Sequence, residues 1–154
     1  MTVFIGGSRS VTALPSGVIH RLQNIISQNF QIIIGDADGA DLAVQLHLQS
    51  VNYKAVTVYA SNGKTRNNAG GWQVKSIQVS KEVLGYAFYA AKDKAMAADA
   101  DYGFMIWDGR SRGTRENINN LTKLGKNTLV YNTRDDSFKV IKGKYQNTQK
   151  PLCR

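Results

Sequence analysis

Three short segments combine glycine with hydroxyl and charged side chains, the residue types that bind phosphates and sugars. The first is Gly6-Gly7-Ser8-Arg9, which follows an apolar run. Two glycines let the backbone approach a ligand, Ser8 offers a hydroxyl, and the Arg9 guanidinium is a fork suited to phosphate. We therefore predict a ligand contact at this segment.

The second segment carries three aspartates and leads directly into a helical stretch. It reads Gly35-Asp36-Ala37-Asp38-Gly39-Ala40-Asp41. Free N–H groups at a helix start favour an anion, but three carboxylates oppose a bare phosphate and are better partners for ribose hydroxyls. Aspartates also serve as caps and turn formers. Both interpretations of Asp36, Asp38 and Asp41 remain open at this point.

The third segment also precedes a helical stretch. It reads Asp108-Gly109-Arg110-Ser111-Arg112-Gly113-Thr114. We expect the Gly109–Gly113 loop and the helix start at Thr114 to cradle a phosphate, with Arg9, Arg112 and Lys92 supplying positive charge. Three such segments favour a nucleotide-type site far more than one would.

Several other kinds of site lack the residues they need. The chain has two separated histidines, His20 and His47, and one cysteine, Cys153, so we expect no zinc site. Asp41 occupies the position where a calcium-binding EF-hand loop requires glycine, and there is no Walker A or GxGxxG motif. We expect neither a metal nor a cofactor.

Apolar, β-branched runs alternate with helical periodicity along most of the chain. Strands are predicted at 2–5, 31–34, 55–59, 102–107 and 127–131. Helices are predicted at 16–29, with Ser16 as N-cap, and at 40–50, 85–98 and 114–124. The alternation predicts an α/β fold, a Rossmann-like three-layer sandwich with a mostly parallel sheet. Ligands of such sheets bind at the carboxyl ends of the strands, where all three segments fall.

The connecting regions are less regular. Residues 61–71 form a long loop rich in glycine, asparagine and basic residues. Trp72 is the preferred aromatic candidate to contact a base or a partner. Tyr86, Phe88 and Tyr89 are expected in the core or an interface in preference to a base-stacking platform. We predict one domain over residues 1–131 and a basic C-terminal extension over 132–154, with a hairpin or edge strand at 138–145.

Composition and charge restrict the class of protein. The 154 residues are 42% hydrophobic and carry a net charge of +9, which excludes a disordered chain and attracts phosphates. No apolar run reaches membrane-span length and no signal peptide is evident, so we expect a soluble, cytoplasmic protein without a membrane partner. Five basic residues and no acid follow Asp136. We interpret that tail as solubilising, which makes nucleic acid a weaker candidate partner than a small molecule.

The spacing of these residues resembles a known superfamily. The matching set comprises Gly6-Gly7-Ser8-Arg9, Gly35-x-x-x-Gly39-Ala40-Asp41, Lys92-x-x-x-Met96-x-x-x-Ala100-Asp101 and Trp107-Asp108-Gly109-x-Ser111-x-Gly113-Thr114. It resembles the SMF/DprA–LOG (SLOG) superfamily over residues 2–131, and is most similar to small stand-alone members from bacteria and tailed phages. The resemblance implies a Rossmann-like fold, binding of nucleotides or ADP-ribose derivatives, and in some members phosphoribohydrolase activity. It also suggests a homo-oligomer, for which helix 85–98 offers an aromatic face, and a host-cytoplasmic location for a phage member.

The chain departs from the superfamily's hydrolases at two positions. Lys92 replaces their usual arginine, and Asn117 stands where their catalytic glutamate does. Glu116 lies one residue early, and one residue is about 100° of helix rotation, so it points elsewhere. Because an asparagine cannot act as a carboxylate acid or base, we expect ligand binding with slow or absent turnover.

Two alternatives to simple ligand binding remain open. The first is N-glycosidase activity on nucleoside 5′-monophosphates, with Asp108, Asp93 or Glu116 as the catalytic carboxylate. The second is single-stranded nucleic-acid binding through the basic tail and Arg66.

Overall fold

The apolar runs form seven strands and the periodic stretches form four helices in the computed structural model, which describes residues 1–144. The strands are β1 Thr2–Gly7, β2 Gln31–Ile34, β3 Val56–Ser61, β4 Gln73–Ile77, β5 Tyr102–Trp107, β6 Thr128–Asn132 and β7 Ser137–Ile141. The helices are α1 Ser16–Ser27, α2 Ala40–Ser50, α3 Tyr86–Asp99 and α4 Arg112–Lys123.

All seven strands belong to one sheet with the order β4-β3-β2-β1-β5-β6-β7. Every neighbouring pair is parallel except β6 and β7, which are antiparallel. The chain moves outward from β1 to β4 and then returns to the other side of β1 as β5. The strand order therefore reverses between β1 and β5, and the carboxyl ends of these two strands are where such sheets bind ligands.

Helices cover both faces of the sheet because side chains alternate along each strand. On one face, Val3 and Ile5 of β1 pack in a core cluster with α1 and α2. On the other face, Phe4 packs in a second cluster with α3 and α4. The predicted Rossmann-like three-layer sandwich is confirmed.

Helix α4, which contributes to the candidate site, is strongly amphipathic. The residues that α4 buries are Thr114, Asn117, Ile118 and Leu121. They follow helical spacing, so they form one stripe against the sheet. This stripe brings Thr114 and Asn117 toward the end of β1.

Some predicted boundaries differ from the observed elements. The sequence analysis did not predict β4, because this edge strand is exposed and has few apolar residues. Pro15, not Ser16, is the cap residue of α1, and Ser16 begins the helix. Within the predicted extension, β7 adds an antiparallel edge strand to the same sheet. The remainder of that extension, 145–154, lies outside the described residues. Across residues 1–144, none of the helices combines the length and apolar character that crossing a membrane requires.

Candidate functional site

A cleft of about 530 Å³ opens at the carboxyl ends of β1 and β5, where the strand order reverses. Its walls come from β1 and the loop after it, from the first turn of α2, from one face of α3 between Tyr86 and Met96, and from the first two turns of α4, with Arg66 at one side. The predicted site residues that line it are Gly6, Gly7, Ser8, Arg9, Asp41, Lys92, Asp93, Ser111, Gly113, Thr114 and Asn117. The three sequence segments therefore converge, although they are far apart along the chain.

The N-terminus of α4 forms one wall with backbone groups available to a ligand. Ser111 is the N-cap residue, and no side chain of the described residues caps this helix. The first backbone bond within it runs from the N–H of Arg115 to the carbonyl of Ser111 at 3.2 Å. A Cβ added at Gly113 would meet nothing within 4 Å. Because unpaired N–H groups and the helix dipole favour negative charge, this wall is suited to an anion.

Asp108 organises the loop that leads into α4. Its carboxylate accepts bonds from the N–H groups of Arg110 and Ser111 and from the hydroxyls of Ser10 and Ser111, all at 2.8 Å. Burial raises the pKa of Asp108, but these bonds outweigh burial and hold that pKa well below its usual range. Asp108 and Gly109 are not among the residues that line the cleft. Asp108 acts as a positioning residue that ties the loops after β1 and β5 together.

Two glycines of the predicted segments serve close packing between loops. A Cβ at Gly7 would lie 2.3 Å from the carbonyl oxygen of Ile106. One at Gly39, where φ is +81°, would lie 2.4 Å from the Cα of Arg9. The buried Ser8 hydroxyl accepts the N–H of Asp108 at 3.0 Å and lies 3.4 Å from the Thr114 hydroxyl. These contacts hold the loop after β1 against its neighbours and leave the exposed Arg9 side chain at the cleft.

The aspartates of the second segment have different environments. Asp36 is buried, and its carboxylate accepts two hydrogen bonds from Arg66. The backbone N–H of Arg66 donates at 2.9 Å and the Arg66 guanidinium at 2.8 Å. Although burial raises the pKa of Asp36, these bonds and the charge of Arg66 lower it below its usual value. Asp38 is exposed and accepts the side-chain N–H of Asn67 at 2.9 Å. Neither aspartate lines the cleft, but the ion pair brings the Arg66 side chain to the cleft.

A cluster of buried charges forms the floor of the cleft. Lys92 is only 4% exposed, and its Nζ donates to Asp93 at 3.0 Å and to the carbonyl of Tyr89 at 3.3 Å. A Cβ added at Gly35 would lie 2.7 Å from the Oδ2 of Asp41 and 3.5 Å from the Nζ of Lys92. Burial raises the pKa of Asp41 to about 7, against the opposing charge of Lys92. Burial also raises the pKa of Asp93. The floor thus holds two carboxyl groups beside one ammonium group.

Asn117 lines the cleft with an unused hydrogen-bonding group. The residue is 8% exposed, and its buried Oδ1 has no hydrogen-bond partner within residues 1–144. Buried polar atoms normally have a partner, so an unpaired one is a feature that needs an explanation. A ligand or water with an N–H or O–H group would provide that partner.

Glu116 and Arg112 lie outside the cleft lining. The Glu116 carboxylate accepts the Tyr86 hydroxyl at 2.6 Å and the Nε of Arg112 at 3.0 Å. These bonds lower the pKa of Glu116. Of the three candidate catalytic carboxylates, Asp93 is the one that the structure brings to the cleft.

Sequence analysis favoured a place in the core or an interface for the tyrosines of α3 over a base-stacking role. Tyr86 and Tyr89 line the cleft, together with Lys92, Asp93 and Met96 of the same helix. From Tyr89 onward these residues have spacings of three and four, which place them on one helix face. Tyr89 lies three residues before Lys92, and this spacing could have predicted from the sequence that Tyr89 faces the site. Trp72 instead packs against the core, donates its indole N–H to the carbonyl of Tyr53 at 2.9 Å, and does not line the cleft.

No family model, curated protein or solved structure matches this chain. Within residues 1–144, no group of three or more histidine, cysteine, aspartate or glutamate side chains is arranged to hold a metal ion.

Proposed function

We propose that this cleft binds a nucleotide or an ADP-ribose-like ligand and that the chain is a member of the SLOG superfamily. The observation that carries the proposal is the uncapped N-terminus of α4, which opens on the cleft at Gly113, where an added Cβ would meet nothing within 4 Å. That wall is complementary to a phosphate group.

The charges and polar groups around this wall support the same ligand class. Arg9 and Arg66 line the cleft and can bind phosphate oxygens through their guanidinium groups, and Lys92 adds positive charge at the floor. Ser111 and Thr114 add hydroxyl groups beside the helix start. Asp41 and Asn117 add polar side chains to the lining, which suits the hydroxyl or amino groups of a sugar or base. The ligand class therefore combines an anionic group with several hydrogen-bond donors.

A thermal-shift screen with mononucleotides, cyclic nucleotides and ADP-ribose tests the proposal. A ligand at 100 times its dissociation constant stabilises a protein by about 2.7 kcal/mol, which is a measurable shift. We expect at least one phosphate-bearing ligand to shift the wild type and to lose that effect in Gly113→Val. The proposal fails if none of the ligands shifts the wild type, or if the variant responds equally. Salt-sensitive binding of oligonucleotides without mononucleotide binding would support the nucleic-acid alternative instead.

A second candidate is hydrolysis of the N-glycosidic bond of a nucleoside 5′-monophosphate. The observation in its favour is that Asp41 and Asp93 both line the cleft and both have raised pKa values. In this reaction water adds to the sugar, the bond to the base breaks, and the base leaves with a proton. One carboxylate would accept the proton from water while the other, protonated, donates to the base.

Chromatography of the reaction products separates the two candidates. The hydrolase candidate predicts free base and ribose 5-phosphate from the wild type, with loss of both in Asp93→Asn. Binding without turnover predicts saturable affinity and no free base.

A further inference from the structure

We infer that Tyr86 and Tyr89 form a platform on which the base of the ligand stacks, so that the cleft selects nucleotides over sugar phosphates. This inference rests on the proposed function and specifies the ligand class of the same site. The wall of the cleft that α3 provides is aromatic, whereas the wall that α4 provides offers backbone N–H groups.

The two tyrosines present aromatic surface to the cleft. Tyr86 is 41% exposed and Tyr89 is 38% exposed, and both line the cavity. They are three residues apart, so they lie on one face of α3 within a single turn. Large aromatic side chains that line a concave surface and stay partly exposed have apolar area that a planar ligand can cover.

Each ring is held in place from one side by an arginine. The guanidinium of Arg66 lies 4.1 Å from the ring centre of Tyr89, and that of Arg112 lies 4.3 Å from the ring centre of Tyr86. Both arginines are themselves anchored, Arg66 by Asp36 at 2.8 Å and Arg112 by Glu116 at 3.0 Å. The Arg66–Asp36 pair is largely buried and orients the Tyr89 ring before any ligand arrives, and such preorganisation lowers the entropy cost of binding. The Arg112 side chain is 72% exposed, so its pair with Glu116 holds the Tyr86 ring less firmly.

The hydrogen bonds of α3 also place this platform beside the anion wall. The Tyr86 hydroxyl donates to Glu116 at 2.6 Å, which joins the first turn of α3 to the second turn of α4. Gly113 and Thr114 lie in the first turn of α4 and line the same cleft. A nucleoside 5′-monophosphate has the matching layout, an aromatic base and a phosphate joined through one ribose.

Core packing does not account for these tyrosines. The Tyr89 ring has an edge contact with Phe88 at 5.1 Å between ring centres, but neither Tyr86 nor Tyr89 belongs to the two core clusters. The hydroxyl of Tyr86 bonds to Glu116, whereas that of Tyr89 makes no hydrogen bond within residues 1–144. Tyr89→Phe therefore keeps the stacking surface, and Tyr89→Leu removes it while keeping an apolar side chain.

Calorimetric titration of the full chain with AMP and with ribose 5-phosphate tests the platform. Both ligands have the ribose and the phosphate, and AMP alone has the base. Stacking of a base on an aromatic side chain corresponds to about 5- to 150-fold in affinity. We expect AMP to bind tighter than ribose 5-phosphate by a factor in that range. Tyr89→Leu should weaken AMP alone, and Tyr89→Phe should leave both affinities unchanged.

Matched variants separate stacking from general damage. Tyr86→Leu should also weaken AMP selectively, whereas Phe138→Leu, an exposed aromatic on β7 outside the cleft, should change neither affinity. Equal affinities of AMP and ribose 5-phosphate for the wild type would overturn the platform and leave phosphate binding intact. So would equal weakening of both ligands by Tyr89→Leu. If neither ligand binds, the proposed function fails and the platform with it.

Discussion

Replacing Asp41 with asparagine is expected to remove a pH-dependent cost from the stability of the fold. The carboxyl group is buried at the floor of the cleft, where burial raises its pKa from 3.8 to about 7. In the unfolded chain the same group ionises near its ordinary value. Between these two pKa values the folded state therefore binds a proton that the unfolded state has released.

The sign of the effect follows from this difference in bound protons. Stability falls with rising pH wherever the folded state binds more protons than the unfolded state. The stability associated with protonated Asp41 is fully present below about pH 4 and is lost as the pH rises through about 7. Asparagine does not titrate, so Asp41→Asn escapes this loss and keeps an oxygen that can accept the N–H of Ala37, which Asp41 accepts at 3.2 Å.

The magnitude comes from the distance between the two pKa values. A separation from 3.8 to about 7 corresponds to about 4 kcal/mol, since each pKa unit is worth about 1.4 kcal/mol. The free energy of unfolding of Asp41→Asn, relative to the wild type, should therefore increase by about this amount between about pH 4 and about pH 8.

Urea unfolding followed by tryptophan fluorescence measures this quantity across the pH range. Trp72 and Trp107 each donate an indole N–H to a backbone carbonyl, at 2.9 and 3.1 Å, so both report the loss of local structure. Parallel stability profiles of the wild type and Asp41→Asn from about pH 4 to about pH 8 would refute the reasoning, because they would mean that Asp41 ionises in the fold as it does in the unfolded chain.

Asp36→Asn is the matched control, because it should show the opposite sign. Its pKa is raised by burial but lowered further by the bonds and charge of Arg66, to below 3.8. The stability contributed by ionised Asp36 is present above about pH 4 and is lost as the pH falls through the folded pKa. The variant should be less stable than the wild type at neutral pH, and the difference should shrink in acid.

Three further predictions concern the ligand. Gly113→Val should abolish binding of the best phosphate ligand in the thermal-shift assay. The circular-dichroism spectrum should stay unchanged, because the new side chain enters open space in front of α4. Unchanged affinity would mean that this helix start is not part of the site. Arg9→Ala should reduce the binding free energy of that ligand by about 1.5–3 kcal/mol in calorimetry, the range for a hydrogen bond to a charged group. The variant should lose little stability, because Arg9 is exposed and forms no ion pair within residues 1–144. If stability falls and affinity does not, Arg9 is structural. Base release from nucleoside monophosphates should be slow or absent in the wild type, since a positioned acid or base is worth about 10²–10⁴-fold in rate, and Asn117→Glu should increase it in chromatography of the free base. Robust hydrolysis by the wild type that Asp108→Asn or Asp93→Asn abolishes would contradict the binding interpretation.

The sequence alone predicted the order of elements apart from β4, and it predicted that the glycine-containing segments lie at the carboxyl ends of the strands. Alternation of apolar runs with helical periodicity is a local property, so it predicted the parallel sheet and four helices within a few residues of their observed bounds. Parallel strands end at the same edge of a sheet, which is why the segments after β1 and β5 could be expected to meet. The edge strand β4 escaped prediction because its exposed residues lack the apolar pattern that marks buried strands.

The tertiary structure decided what each polar residue of those segments does. Asp36 and Asp41 are five residues apart, yet the pKa of Asp36 falls beside Arg66 and that of Asp41 rises beneath the cleft. Arg66 comes from the long loop before β4, and Tyr89 from the face of α3 that meets it. Burial and the nearest partner set the chemistry of a side chain, and both depend on elements that are distant in sequence and adjacent only in the fold.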